Sequence, residues 1–251
     1  MDRVNPEHPG PYHEERLPRA GYLAVCVLAF AFFTAGVYAY AHRGGPLVDR
    51  LSGNIGELIV ERAKGLVEAG DVEGAVAAYR QAFQVPFEDP RQREWALMDF
   101  GGLLIRKQRP DEAVPVLREC LATFPDARVH DLLCAALFQS GEHEAALRAA
   151  NAFLAFAKDN PIRALAYYHI GAALEALDDT DAALSAYLEG SRLDPASHNT
   201  FHAAALLQAR GRTLEALRLL DQYIPHGSGW RLESARKRRE AIVAEGAIPN
   251  P

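Results

Sequence analysis

The chain has 251 residues, of which 49% are hydrophobic and 24% are charged, and its formal net charge is -6. This is an ordinary globular composition, so the chain is long enough to bury a sizeable core in one large domain or two small ones. Because nucleic-acid-binding proteins usually present a basic face, the acidic balance argues against a nucleic-acid partner.

The N-terminal part of the sequence predicts a tail followed by a membrane anchor. Residues 1–19 contain four prolines and mixed charge, which is typical of a short disordered tail. Residues 20–41 carry no charged side chain, and a helix of these 22 residues would span a hydrocarbon core of about 30 Å. We therefore predict one transmembrane helix over residues 20–42, followed by a glycine-rich linker over residues 43–55.

The alternative for this apolar run is a cleaved signal peptide, because Ala39, Tyr40 and Ala41 form an A-x-A pattern just before His42. The length of the run favours an anchor, since the apolar region of a signal peptide has only about 7–15 residues. Arginines on both sides of the run give a slight bias toward a cytoplasmic N-terminus. The expected location is therefore a membrane, in a bacterium the inner membrane, with the soluble domain on the side opposite the N-terminus.

Residues 56–228 contain a pattern that recurs every 33 to 38 residues. Its markers are five alanines: Ala75, Ala113, Ala146, Ala183 and Ala216. Nine residues before each alanine stands a leucine: Leu66, Leu104, Leu137, Leu174 and Leu207. Twelve residues before each stands a small residue: Ala63, Gly101, Cys134, Gly171 and Ala204. Apolar residues recur at intervals of three and four within each unit, which predicts five helical hairpins.

Side chains after each marker alanine are expected to pack against the following hairpin. At four residues after the alanine these are Tyr79, Leu117, Ala150, Tyr187 and Leu220, and at seven residues they are Ala82, Cys120, Phe153, Gly190 and Tyr223. Cys120 and Cys134 lie in apolar helical runs and are interpreted as buried free thiols, with a disulfide between them as the alternative. The third cysteine, Cys26, has no C-x-x-C partner that would indicate zinc.

Three carboxylates cluster at Asp178, Asp179 and Asp181, which raises the possibility of a metal or catalytic site. The repeat places them in the turn before the second helix of a hairpin, where aspartate caps free backbone N–H groups and suits the helix dipole. The other units have Asp71, Asp111, Glu142 and Arg212 at this turn. Because the calcium-loop pattern is absent, we interpret the cluster as structural.

The repeat resembles the tetratricopeptide repeat (TPR), most closely over residues 94–125 and 164–195, each of which ends on a proline. The resemblance implies an all-α fold, a right-handed superhelical α-solenoid of about five TPR hairpins whose first helices line a concave wall. It also implies a protein-protein interaction scaffold, not an enzyme, of the kind that in bacteria assists secretion, envelope assembly or cytochrome maturation. A partner protein or peptide would occupy the concave groove.

The resemblance also lets us name the expected groove residues. They are Met98, Asp99, Gly102, Arg106, Arg128, Asp131, Phe138, Tyr168, His169, Ala172, Glu175, Phe201, His202 and Gln208. Aromatic rings beside small residues suit an extended or helical peptide. The alternative is that neighbouring units cover these rings. The lysine and asparagine constellation with which some relatives bind chaperone C-termini is not present at these positions.

Other signals for chemistry are weak, and no cofactor is expected. His198 and His202 are spaced i,i+4 and, with His169, could form a metal site, so a metal-dependent enzyme or metal-binding protein is one alternative function. No third ligand is adjacent in sequence, and we favour hydrogen-bonding groove histidines. A second alternative is a self-assembling structural protein, a homo-oligomer without another partner.

Residues 229–246 predict a C-terminal capping helix with Leu232, Ala235, Arg239 and Ile242 along one side. A solenoid end needs a cover with a polar outer face, so the basic run over residues 236–239 is interpreted as solvated surface. The alternative for this run is contact with anionic lipid.

Overall fold

A computed structural model describes residues 54–244. The predicted tail, the predicted anchor over residues 20–42 and nearly all of the predicted linker lie outside the described residues. The chain divides into two compact units, residues 1–55 and 56–251. Only Asn54 and Ile55 of the first unit are described, and the architecture that follows is that of the second. No helix within residues 54–244 has the length and apolar character needed to cross a membrane.

The described part of the chain contains eleven α-helices and no strand. In chain order they are α1 (Ile55–Glu68), α2 (Val72–Ala82), α3 (Pro90–Arg106), α4 (Pro110–Thr123), α5 (Ala127–Gln139), α6 (His143–Phe156), α7 (Asn160–Ala176), α8 (Thr180–Leu193), α9 (His198–Ala209), α10 (Thr213–Tyr223) and α11 (Gly229–Ala244). The first ten follow one another as five helix-turn-helix pairs, and α3, α5 and α7 each contact the first helix of the following pair. The prediction of an all-helical fold is confirmed.

The turn inside each pair has one recurring backbone conformation. The residue five before each marker alanine has a positive φ, between 58° and 80°: Gly70, Gln108, Gly141, Asp178 and Gly211. The N–H of the next residue then donates to the carbonyl of the marker leucine at 2.9 to 3.0 Å in all five pairs. This is the left-handed C-cap geometry that ends a helix, so the recurring leucine also supplies the carbonyl that closes the turn.

The aspartates at residues 178–181 take part in this turn. Asp178 is the left-handed residue, and Asp179 caps α8 by accepting from the N–H of Ala182 at 3.1 Å. Asp181 pairs with Arg210, the residue that follows α9, at 2.7 Å. Asp178 therefore contributes its backbone conformation to the turn, and the carboxylates of Asp179 and Asp181 make a cap bond and an ion pair.

Asp111 lies two residues before its marker alanine, as Asp181 does, whereas Asp71, Glu142 and Arg212 lie four residues before theirs, as Asp179 does. The cap position of α4 is Arg109, which makes no side-chain cap bond, while Asp111 lies in the first turn. Pro110 is the first residue of α4, and Asp111 and Glu112 follow it in the first turn.

The marker residues form the core. All five marker alanines and all five small residues are buried. Leu117 covers Gly101 and Tyr187 covers Gly171, each within its own pair. The side chains four residues after the marker alanine were predicted to pack against the following pair. Tyr187 does so, since it stacks on His202 with ring centroids 5.1 Å apart. The prediction is incomplete because Leu117 and Tyr187 also pack inside their own pairs.

Cys120 and Cys134 are free and buried, so the alternative of a disulfide between them is wrong. Burial raises the pKa of Cys120 to about 11 and that of Cys134 to about 12. Both thiols stay protonated at neutral pH and are unreactive.

Helix α11 packs against the last pair by its predicted side, with Ala235 and Ile242 fully buried. The basic run is only partly solvated surface. Arg238 donates to Gln208 Oε1 at 2.8 Å and Arg239 pairs with Asp221 at 2.6 Å, whereas Arg236 and Lys237 are exposed. Half of the run therefore holds the helix to the repeats.

Candidate partner-binding surface

Two cavities open on the first helices of the pairs. The charged cavity, of about 490 Å³, is formed by α1, α3 and α5 together with Tyr79 of α2. Its lining residues are Lys64, Val67, Glu68, Tyr79, Met98, Asp99, Gly102, Leu103, Arg106, Arg128, Asp131 and Leu132. The aromatic cavity, of about 540 Å³, is formed by α5, α7 and α9 together with Tyr187 of α8. It is lined by Ala135, Phe138, Gln139, Tyr168, His169, Ala172, Glu175, Ala176, Tyr187 and His202.

The charged cavity carries both signs of charge around a buried tyrosine. Arg128 is held in place by Asp126, whose Oδ1 is 3.1 Å from Nε, and by stacking over the Trp95 ring at 4.5 Å. Tyr79 is only 2% exposed, and burial, assisted by the charge of Asp99, raises its pKa to about 12. The floor of this cavity is therefore neutral, and its charges lie around the opening.

The aromatic cavity is built from rings around alanines. Ala135 and Ala172 lie where larger side chains would fill the space, and Phe138 at the rim is 38% exposed. The Tyr187 hydroxyl donates to Glu175 Oε2 at 3.0 Å, and burial raises the pKa of this tyrosine. The cavity is therefore mostly apolar, with a few polar groups in fixed positions, which is the usual composition of a ligand pocket.

One side-chain contact joins the two cavities. Asp131 lines the charged cavity and His169 lines the aromatic cavity, and His169 Nε2 is 2.6 Å from Asp131 Oδ1. The two cavities are therefore neighbours on the same surface, with this contact between α5 and α7 as their common wall.

The two histidines of α9 lie beside Tyr168. The His198 and His202 rings are 5.3 Å and 5.5 Å from the Tyr168 ring, between centroids. Burial lowers the pKa of both imidazoles, so both are neutral at neutral pH. Among residues 54–244 no three histidine, cysteine or acidic side chains converge as metal ligands would, so the geometry does not favour the metal-dependent alternative.

The predicted groove residues fall into three groups. Met98, Asp99, Gly102, Arg106, Arg128 and Asp131 line the charged cavity. Phe138, Tyr168, His169, Ala172, Glu175 and His202 line the aromatic cavity. Phe201 and Gln208 line neither, because α11 lies against them: the Phe201 ring is 6.3 Å from that of Trp230, and Gln208 accepts from Arg238.

Sequence reasoning missed several lining residues that the repeat spacing could have identified. Gly102 and Arg106 stand eleven and seven residues before their marker alanine. The same spacing in the first, third and fourth units gives Lys64 with Glu68, Ala135 with Gln139, and the already predicted Ala172 with Ala176, all of which line a cavity. Applying the spacing to every unit, not only to residues with conspicuous side chains, would have found them.

The fold and the two cavities define a helical-repeat protein with an open face on the first helices of its pairs. Family models of the tetratricopeptide repeat match residues 66–137 and 164–197, which include the two stretches where the sequence resembles this repeat most closely. Tetratricopeptide-repeat proteins are generally non-enzymatic scaffolds. A search of curated proteins finds no match.

Solved structures with a similar fold include MamA and a tetratricopeptide repeat protein. A crystal structure of MamA has 21% sequence identity and a TM-score of 0.53, covering 72% of this chain and 96% of that one. MamA from Desulfovibrio magneticus RS-1, residue 41 to the end, has 19% identity and a TM-score of 0.57, covering 74% and 98%. A tetratricopeptide repeat protein from Parabacteroides merdae has 21% identity and a TM-score of 0.56, covering 76% and 75%. At such identities the likeness concerns the fold alone.

Proposed function

We propose that this protein is a membrane-anchored scaffold that captures a segment of a partner protein on the face formed by the charged and aromatic cavities. It carries out no reaction itself. The observation that carries the proposal is the aromatic cavity, a pocket of about 540 Å³ lined by aromatic rings and alanines. Aromatic anchors around a pocket are typical of sites that bind peptide side chains.

Because the charged cavity lies beside the aromatic cavity, the bound partner segment can be longer than one residue. The two cavities share the Asp131 and His169 contact, so a bound segment can cross from one cavity to the other. An apolar side chain suits the aromatic cavity, and polar groups suit the ring of charges formed by Lys64, Asp99 and Arg106. The partner is therefore an amphipathic segment.

The anchor is proposed from the sequence. Residues 20–41 carry no charge over a length sufficient to cross a bilayer. With the N-terminus in the cytoplasm, the repeats would lie on the other side of a bacterial inner membrane. The scaffold would then hold its partner close to the bilayer.

Capture is tested with two phenylalanines of equal exposure. Phe138, 38% exposed, lines the aromatic cavity, whereas Phe156, 37% exposed, lines neither cavity. A partner is first isolated with the full-length protein from a detergent extract, identified and purified. Phe138→Ala should then weaken its binding about thirtyfold, the effect of removing an aromatic anchor worth about 2 kcal/mol. Phe156→Ala should bind as wild type, and equal binding by both variants would contradict the proposal.

The anchor is tested separately by fractionation. The full-length protein should stay in the membrane fraction after washing with carbonate or with high salt. A soluble product that begins at His42 would show instead that the A-x-A pattern is a cleavage site.

A further inference from the structure

The hydroxyl of Tyr79 is an unused polar group of the charged cavity. The tyrosine is 2% exposed, and its ring stacks on that of Phe100 with centroids 5.1 Å apart. A buried tyrosine hydroxyl usually has a hydrogen-bond partner. This one has none within residues 54–244, and it is not enclosed by the protein either. Because Tyr79 lines the charged cavity, its hydroxyl is available to a group that enters there.

Two of the three cations that line the charged cavity already have carboxylate partners. Lys64 Nζ is 2.9 Å from Glu61 Oε1, and Arg128 Nε is 3.1 Å from Asp126 Oδ1. The third cation, Arg106, forms no ion pair in the described part of the chain. Only one cation of this cavity is therefore free to pair with a bound group.

The acidic groups of the charged cavity have fewer partners. Glu68 and Asp99 are exposed, and neither carboxylate forms an ion pair or a hydrogen bond among residues 54–244. Asp131 uses Oδ1 for His169, at 2.6 Å, and its other oxygen has no partner in the same range. Since the free carboxylates outnumber the single free guanidinium, the opening favours a positively charged group.

The apolar part of the lining suits the stem of a long basic side chain. Val67, Met98, Leu103 and Leu132 line the cavity together with the charged groups. Lysine and arginine bury their methylene stems against apolar surface while their charged heads stay among polar groups. The charged cavity, of about 490 Å³, offers both kinds of surface to one side chain.

We infer that the charged cavity is a subsite for a lysine or arginine side chain of the bound segment. The Tyr79 hydroxyl oxygen accepts from one N–H of the charged head, and Glu68 and Asp99 pair with its charge. The inference rests on the proposed function, because the segment that carries the basic residue is the one whose apolar side chain enters the aromatic cavity. It adds the chemistry of the partner: a basic residue next to an apolar anchor.

The test selects peptides from a randomised twelve-residue display library on the full-length protein and its variants. Peptides selected on wild type should be enriched in lysine and arginine relative to the starting library. The enrichment should disappear on the double variant Glu68→Gln/Asp99→Asn. It should persist on Asp111→Asn/Glu144→Gln, which removes the same charge from two exposed positions that line neither cavity.

One selected peptide is then synthesised with its basic residue as lysine and as methionine, which keeps a long stem without the charge. On wild type the methionine form should bind about tenfold more weakly, and on Glu68→Gln/Asp99→Asn the two forms should bind alike. Arg106→Gln should increase the preference for lysine, because it removes the free opposing cation. Added salt should reduce the wild-type preference, since the pairing groups lie at an open cavity.

Tyr79→Phe tests the hydroxyl while keeping the stacked ring. The preference for lysine should fall about threefold, the effect of one lost hydrogen bond. The melting temperature should be no lower than that of wild type, because the hydroxyl bonds to no group among residues 54–244. An undiminished preference for lysine in Tyr79→Phe would contradict the placement of the charged head at this hydroxyl.

The outcomes separate this inference from the proposed function. Suppose that peptides which depend on Phe138 are selected, but that they prefer acidic residues, show no preference for basic ones, or keep that preference on Glu68→Gln/Asp99→Asn. The basic subsite is then wrong and the scaffold proposal stands. If wild type selects no peptide above background, the peptide-binding face itself is wrong, and the subsite fails with it.

Discussion

The ring of Tyr187 lies directly over Gly171, so that a Cβ atom on this glycine would come within 2.5 Å of the ring carbon Cε1. Leu117 and Gly101 have the same relationship, with the corresponding distance to Leu117 Cδ2 also 2.5 Å. The large side chain four residues after a marker alanine thus fills the space left by the small residue twelve before it. The two helices of a pair can therefore pack closely, because the large side chain of one helix occupies the space left by the small residue of the other.

Gly171→Val should therefore destabilise the protein by about 1–3 kcal/mol, because the added side chain overlaps a fully buried ring. Gly65 in α1 is the matched control, since a Cβ there meets no atom within 4 Å. Gly65→Val should change the free energy of unfolding by less than about 0.5 kcal/mol. Chemical denaturation of both variants measures the difference, and equal stabilities would place Gly171 outside the helix contact.

Gln108 offers a stabilising substitution. Its φ is 58°, whereas three of the four equivalent turn residues are glycine. A side chain costs about 1–2 kcal/mol in the left-handed region, and part of this is offset by the greater flexibility of glycine when unfolded. Gln108→Gly should stabilise by about 0.5–1 kcal/mol. Gln108→Val should destabilise, since branching at Cβ is least compatible with this conformation. A lower melting temperature for Gln108→Gly would be inconsistent with this explanation.

Asp179 and Glu142 occupy the same cap position but differ in their bonds. Asp179 accepts from the Ala182 N–H, while Glu142 makes no side-chain cap bond. Asp179→Ala should cost about 1 kcal/mol of stability, and Glu142→Ala should stay within about 0.5 kcal/mol of wild type. Urea denaturation distinguishes the two variants. Equal losses would mean that general helix electrostatics, and not the cap bond, stabilises α8.

These local relationships explain why the sequence could predict the repeats. Each repeat of about 35 residues contains the turn, its cap position and the small residue that faces a large one. Because these features recur, their spacing is visible in the sequence. That α11 lies against Phe201 could not be predicted in this way. This contact depends on where α11 lies, and α11 has no counterpart in the repeat from which its position could be read.

Phe201 should consequently behave as a packing residue. Phe201→Ala removes a contact with Trp230 and the surface under Arg238, and we expect it to lower stability by about 1–3 kcal/mol. Backbone amides of α11 should exchange with deuterium faster in this variant. Phe138→Ala is the comparison and should leave α11 exchange unchanged. Unchanged protection of α11 in Phe201→Ala would argue that Phe201 belongs to the open face after all.

The buried histidines predict loss of stability in acid. Burial lowers the pKa of His130, His198 and His202 from the ordinary value near 6.5. Below this value the unfolded chain binds protons that the folded state resists, so their neutral state supports folding fully above about pH 6.5 and progressively less as the pH falls. Thermal melting between about pH 5 and pH 8 should show this decline.

The contribution of one imidazole can be isolated. His130 stacks on Phe153 with centroids 5.3 Å apart, and His130→Gln should make stability less dependent on pH over this window. His226→Gln, at an exposed position, should melt with the pH dependence of wild type. If His130→Gln leaves the slope unchanged, the acid sensitivity arises from other groups.

Helix α11 also limits how much of the first-helix surface is open, because it covers part of the fifth pair. Tyr168 and Glu175 line the aromatic cavity, while their counterparts one repeat later, Phe201 and Gln208, are occupied by the chain's own terminal helix. In the proposed function, ligand specificity would therefore depend on the first four pairs and on His202 of the fifth. Most of the fifth pair packs against the terminal helix instead. A duplicated repeat inserted before the fifth pair would therefore lengthen the open face by one full unit.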